Sequence, residues 1–378
     1  MCGVAGIFAY HPAASSVNRA ELIKIRDAMF ARGPDGAGEW FEDGERLGLA
    51  HRRLSIIDLS ERAAQPMHSI CGRFHVTFNG EIYNFPEIRE QLKAQGRHFQ
   101  SNSDTEVLLH LYELKGESMA ADLRGMFAFA IWDSVKKELF LARDPYGIKP
   151  LYYADDGWTF RFASQVKSIL AGGRVSRDPE PAGVVGFYLW GSVPDPFTLY
   201  RDIRAVPAGH SLKVTIAGPE MPRPYMRISP LALLAAETDP KPVSGYSRVS
   251  LLESTQYMKN QLLRDADWAG MAHSLEIRTP FVDIEVLKKL SCVTPFLKGR
   301  SGKQALGKSP ISPLPEEVTQ RAKTGFGVPI GGWLAKLVAE QPSEYATKGS
   351  ASRGWGRYVL SEQKALTEKM PTSPRAVA

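Results

Sequence analysis

A crowd of short apolar runs constrains this chain most. Gly125 to Asp133, Glu138 to Arg143, Lys149 to Tyr153 and Trp158 to Ala163 follow one another with only polar turns between them. Runs this short, rich in aromatic and aliphatic residues, read as strands. Arg143-Asp144-Pro145-Tyr146-Gly147-Ile148-Lys149-Pro150 reads as a polar turn joining two of them. Further strands are predicted over residues 3–9, over Leu47 to Asp58, and over Phe74 to Phe78. Helices flank them. Leu22, Ile23, Ile25 and Met29 have helical spacing within 19–30, a second helix runs from Asp104 to about Leu114, and Ser164 opens a third through Leu170. Strands in quick succession between helices suggest two sheets face to face with helices outside, an α+β fold.

The 378 residues suffice for about two domains. The N-terminus lacks a basic region before its apolar stretch, so no signal peptide is expected, and no apolar run is long enough to span a bilayer. No membrane partner is expected. The three cysteines, Cys2, Cys71 and Cys292, lie far apart without metal-ligand spacing, which predicts a reducing cytoplasm, no disulfide and no metal centre. The net charge is +6, but its Lys and Arg are scattered, so a solvated surface explains it better than a nucleic-acid partner.

Several polar residues sit where a plain strand or turn does not need them. Cys2 follows Met1 directly, between an initiator and Gly3. Removal of Met1 leaves a thiol and an α-amine on one residue. An α-amine has a pKa near ~8, so a good fraction is neutral and can accept the thiol proton. Gly3 and Gly6 allow close approach. Arg52 and Arg53 interrupt an apolar strand, either reaching solvent and acidic partners or clamping a ligand carboxylate. Asn79-Gly80 is either a tight turn or a pair of oxyanion donors. Asp104 either caps its helix or meets a ligand ammonium group.

Taken in order, Met1-Cys2-Gly3, Arg32-Gly33-Pro34-Asp35-Gly36, His51-Arg52-Arg53-Leu54-Ser55-Ile56, Phe78-Asn79-Gly80-Glu81-Ile82-Tyr83-Asn84, Ser103-Asp104-Thr105-Glu106, Gly125-Met126-Phe127-Ala128-Phe129, Arg143-Asp144 and Gly147-Ile148-Lys149-Pro150-Leu151-Tyr152 resemble the glutaminase domain of class II glutamine amidotransferases. The likeness is strongest to glutamine-hydrolysing asparagine synthetases. It implies a four-layer αββα N-terminal-nucleophile fold and a glutamine substrate, with no cofactor for the glutaminase. It implies Cys2 as nucleophile, Asn79 and Gly80 as oxyanion donors, and Arg53 on the glutamine α-carboxylate. Asp104 is implied on the α-ammonium, with Glu81 in the same pocket and the backbone of Leu54 to Ile57, including Ile56, lining it. Two positions depart from the pattern: Ala31 where family members often have His, and Gln165 where they often have Glu.

The second half divides further. The glutaminase domain with its passage onward is expected over residues 2–215, a Pro- and Ala-rich linker over 216–248, a mostly helical synthetase segment over 249–341 and a polar tail over 342–378. Asn260 to Asp283 and Arg321 to Pro329 resemble the far end of an asparagine synthetase domain, and Lys323 matches a family lysine near the ATP phosphates. Glu276 and Arg278 read as an ion pair. The family binds ATP and Mg through a Ser-Gly-Gly-x-Asp-Ser loop; Gly172-Gly173 and Gly331-Gly332 do not fit it. The linker is therefore expected to stand where a nucleotide-binding core is deleted. Without that core, Leu262, Leu263, Met271, Leu287 and Leu290 need cover from the glutaminase, from a homodimer or from an intact synthetase paralogue. The reading that follows is glutamine hydrolysis; the alternative is a non-catalytic module that pairs with an intact synthetase.

Overall fold

Strand β1 (Gly3–Phe8) lies inside a six-stranded antiparallel sheet, hydrogen-bonded to β3 (Leu47–Arg53) on one side and β9 (Phe160–Ala163) on the other. The order in that sheet is β10 (Ile203–Ala205), β8 (Tyr152–Asp155), β9, β1, β3, β2 (Gly36–Phe41). The computed structural model describes residues 2–228, 249, 252–291, 301–322, 332, 336, 358 and 359.

A second antiparallel sheet runs β12 (Gly218–Pro219), β11 (His210–Thr215), β7 (Glu138–Arg143), β6 (Gly125–Asp133), β5 (Phe74–Ile82), β4 (Met67–His68), with β13 (Arg223–Pro224) also on β11. The two sheets share one apolar layer. Val4, Phe8, Leu47, Leu49, Phe160 and Phe162 from the first meet Ala128, Ala130, Trp132, Leu139, Leu141 and Leu212 from the second. Helices α1 (Arg19–Asp27) and α4 (Val166–Ala171) cover the outer face of the first sheet, and α5 (Pro181–Trp190) follows α4 along the chain. Helices α2 (Phe85–Ala94) and α3 (Thr105–Lys115) cover the second. The result is a four-layer αββα arrangement. Gly6 lets this layer close, since a Cβ there would lie 2.3 Å from the Phe162 ring.

Four local expectations change. The Leu47 strand stops at Arg53, and residues 54–58 form a loop, because the apolar run there faces a pocket rather than a neighbouring strand. Asn79-Gly80 is no turn. Both residues lie within β5, where Asn79 pairs with Ala128 and Gly80 with Phe127. Residues 218–219 and 223–224, expected in a linker, add edge strands to β11, and Tyr225 donates its hydroxyl to the Arg143 carbonyl at 2.6 Å. The Arg143–Pro150 turn is far from a solvated one. Asp144 is buried and accepts from the backbone N–H groups of Phe127, Tyr146, Ile148 and Lys149.

The sheets belong to a compact unit that also takes in Glu253–Ile284. There a π-helical stretch, Glu253–Leu262, continues as α6 (Leu263–Ala272), burying Leu263 and Met271 and leaving Leu262 45% exposed. In the other unit the described residues include helices Ser301–Lys308 and Glu316–Thr319, joined by a Leu314 N–H bond to the Gly307 carbonyl. Leu290 is 53% exposed there and Leu287 half-buried. Residues 229–248, Lys323 and nearly all of 342–378 fall outside the described residues.

Candidate active site

A cavity of about 50 Å³ opens beside Cys2. Its walls include Cys2, Arg53, Leu54, Ile56, Ile57, Gly80 and Asp104. Seven of the ten residues singled out from the sequence thus meet in one place. Asn79 stands one position behind the wall, Glu81 one position beyond Gly80, and Lys323 lies outside the described residues.

Cys2 precedes β1, and its backbone is held by side chains at both polar groups. Its N–H donates to Asn79 Oδ1 at 3.0 Å. Its carbonyl accepts from Arg32 Nε–H at 3.1 Å. The thiol lies 3.8 Å from the Leu54 carbonyl oxygen. Burial pushes the thiol above its ordinary pKa, and the Glu276 carboxylate adds to this; the chain-terminal ammonium and the Arg32 guanidinium pull the other way. The sulfur therefore rests as a thiol.

Asn79 is fully buried, and its Nδ2 has no hydrogen-bond partner. Buried amides are normally satisfied, so this donor is open to an acceptor placed beside the Cys2 thiol. Gly80 has a φ of 155°, and a Cβ on it would lie 2.2 Å from the Met126 carbonyl oxygen. Glycine is needed here for close strand approach rather than for the turn that the sequence suggests.

The arginine pair resolves by strand alternation. Arg52 points outward, with Nη2 2.6 Å from Asp27 and its guanidinium over the Phe30 ring. Arg53 points to the pocket, where Nη2 also donates to the Asp58 and Ser60 carbonyls, the latter at 3.0 Å. The Arg32–Gly36 turn braces this end. Asp35 N–H bonds the Arg53 carbonyl, and the Asp35 carboxylate accepts from Ser55 N–H at 2.8 Å. A Cβ on Gly33 would lie 2.4 Å from the Arg52 backbone.

Asp104 occupies the N-cap position of α3 without capping it. Its Oδ2 accepts from Ile82 N–H at 3.0 Å instead. Burial, with the Glu81 charge adding to it, pushes the Asp104 carboxyl up to about 7, against the Ile82 bond. Glu81 faces Arg278, 3.1 Å from its Nε, and the same Nε lies 2.9 Å from Glu276. The expected Glu276–Arg278 pair is present, but Glu276 also lines the cavity. Its place there was hidden in the sequence, as were that of Gln65, which also lines the cavity, and the bond from Arg32 to Cys2. Only the place of Arg32 at the head of the Arg-Gly-Pro-Asp turn hinted at its use.

Two family comparisons bear on this geometry. The profile of the glutamine amidotransferase domain family matches residues 1–226. The asparagine synthase profile matches residues 157–366. The chain belongs to the glutamine amidotransferase and asparagine synthase families. "Asparagine synthetase [glutamine-hydrolyzing] 1" of Bacillus subtilis (strain 168) is 43% identical over 216 residues, 57% of this chain and 33% of that protein.

 "Asparagine synthetase [glutamine-hydrolyzing] 3" of the same organism is 34% identical over 215 residues, 56% of this chain and 34% of the relative. The chain spans about a third of the length of these curated relatives. Among solved structures, a glutamine phosphoribosylpyrophosphate amidotransferase from B. subtilis, complexed with ADP and GMP, aligns with a TM-score of 0.45 at 20% identity, covering 68% of this chain and 64% of that one.

The asparagine synthase match runs straight across residues 216–248. The expected deletion of the synthetase core is corrected by it: synthase-family sequence continues through that stretch. No helix among the described residues is long and apolar enough to cross a membrane, and no cluster of three metal-ligating side chains occurs among them.

Proposed function

We propose that this chain hydrolyses the side-chain amide of glutamine at Cys2, releasing ammonia and glutamate. The observation that carries the reading is the orphaned, fully buried Asn79 Nδ2 next to a cysteine whose own nitrogen is bound by Asn79 Oδ1. Once Met1 is removed, that nitrogen is the α-amine. It takes the thiol proton, and the thiolate attacks the amide carbon. Asn79 Nδ2–H and the Gly80 N–H hold the tetrahedral oxyanion. The C–N bond breaks as the ammonium returns its proton to the leaving nitrogen, which departs as ammonia and leaves a glutamyl thioester. Water, deprotonated by the same amine, hydrolyses the thioester and restores the thiol. Arg53 binds the substrate α-carboxylate and Asp104 its α-ammonium, with Glu81 supporting that end and Leu54, Ile56 and Ile57 closing over it.

On this reading residues 2–215 hold the glutaminase, and its chemistry needs no cofactor. ATP-dependent transfer of the ammonia to an acceptor is not assigned to this chain alone. Gly172-Gly173 follows the C-terminus of α4, the end of a helix that repels phosphate, so these residues do not fit ATP. The test is glutamate release from glutamine by the full chain, with Cys2 confirmed as its first residue by mass spectrometry. Cys2→Ala is expected to abolish turnover. Release that persists in Cys2→Ala, or none from the processed wild type, overturns the reading.

A further inference from the structure

The stretch Glu253–Ile284 grips the turn that touches Cys2. Asp267, midway along α6, forms a two-point ion pair with Arg32: Nη1 to Oδ2 at 2.7 Å and Nη2 to Oδ1 at 3.1 Å. The two side chains are only 1% and 2% exposed. The third nitrogen of the same guanidinium, Nε, donates to the Cys2 carbonyl. Beside it, Ser274 Oγ donates to the Ala31 carbonyl at 2.6 Å. Lys149, fully buried, feels the charges of Asp267, Glu276 and Arg32, and burial holds its amine below the ordinary range.

A buried ion pair is a poor way to gain stability, because both ions must be stripped of water and a well-packed apolar pair often serves as well. The carboxylate fork does fix the plane of a guanidinium. With both Nη atoms held by Asp267, Nε has one direction left, toward Cys2.

We propose that Asp267 is a positioning residue for hydrolysis at Cys2, acting through Arg32, so that α6 is a working part of the amidotransferase site. This rests on the glutaminase reading above. Cys2 lies ahead of the first paired residue of β1, Gly3, so its two backbone bonds, to Asn79 and to Arg32, set where the sulfur stands. Displacing a nucleophile by about 1 Å can cost on the order of a hundredfold in rate.

The experiment uses the full chain with processed Cys2 and two variants, Asp267→Asn and the double change Arg32→Met with Asp267→Leu. The double variant replaces the ion pair by apolar side chains, and its unfolding midpoint shows whether it is folded. The expected result is a kcat per folded molecule lowered about 10- to 100-fold in both variants, with KM for glutamine changed less than about threefold. The pH of half-maximal Cys2 alkylation by iodoacetamide is expected to rise in the double variant, since Arg32 no longer favours the thiolate. Wild-type kcat per folded molecule in both variants, or an unmoved alkylation profile in a folded double variant, overturns the proposal. Wild-type chain that alkylates normally but releases no glutamate overturns the glutaminase reading instead, and the alkylation profile still decides whether the pair governs Cys2.

Discussion

The two ends of the Cys2 pocket are built differently. At the end beside Cys2, Asn79 and Gly80 lie inside β5 with β6 paired along it, so their positions are fixed by a sheet. At the other end, Arg53 is the last residue of β3, and the chain then enters a loop in which Ile56 and Ile57 are 42% and 39% exposed. Groups on strands are held more closely than groups on loops. On the proposed reading, chemistry sits where the fold is least adjustable, and substrate recognition sits partly on a loop held by fewer neighbours. If so, changes at the first end should act on kcat and changes at the second on KM.

The largest effect is expected from the sheet end. Asn79→Ala removes the orphan donor and also the acceptor for the Cys2 nitrogen. Loss of one oxyanion donor costs about 10²–10³ in kcat. Glutamate release at saturating glutamine measures it. A variant that loses only KM would break the comparison, because Asn79 would then be recognising substrate rather than stabilising charge. Gly80→Ala should fail differently, by loss of folded protein, since its Cβ meets the backbone of Met126.

Much of this architecture was legible in the chain, and the gaps have physical causes. Two sheets with helices outside followed from the density of short apolar runs. Cys2, Arg53 and Asp104 followed from motifs, and the cavity joins them. Asn79-Gly80 looked like a turn because local chemistry favours one; only β6, folding back from 125–133, makes it a strand. The apolar run 54–57 extended the predicted strand because a pocket wall and a sheet face are equally apolar. Arg52 and Arg53 could not be told apart until the direction of β3 was known. The Arg32–Asp267 pair spans 235 residues, and no local pattern announces such a contact.

A smaller effect is expected at the loop end. Asp104→Asn leaves an acceptor for the Ile82 N–H but removes the charge offered to a substrate ammonium. Hydrogen bonds to charged groups contribute about 1.5–3 kcal/mol, which is roughly 10- to 150-fold. KM for glutamine should rise by about that factor while kcat changes little. Steady-state kinetics at fixed pH separate the two, and a fall in kcat alone would place Asp104 with the reacting groups.

The smallest effect is a pH dependence, and it sharpens the contrast. Asp104 titrates near 7 in the folded protein, above its ordinary 3.8, so the native state keeps a proton that the unfolded chain has lost. Its contribution to stability is therefore fully present below about 3.8 and declines as pH rises toward 7. Substrate binding runs the opposite way, because an ammonium group prefers the ionised carboxylate. KM for glutamine should fall about tenfold between pH 6 and pH 8 in the wild type, in proportion to the ionised fraction of a group titrating near 7. In Asp104→Asn that slope should vanish, although kcat keeps the pH profile set at Cys2. A KM slope that survives the substitution would move the titrating group elsewhere in the pocket, with Glu81 and Glu276 the carboxylates nearest to hand.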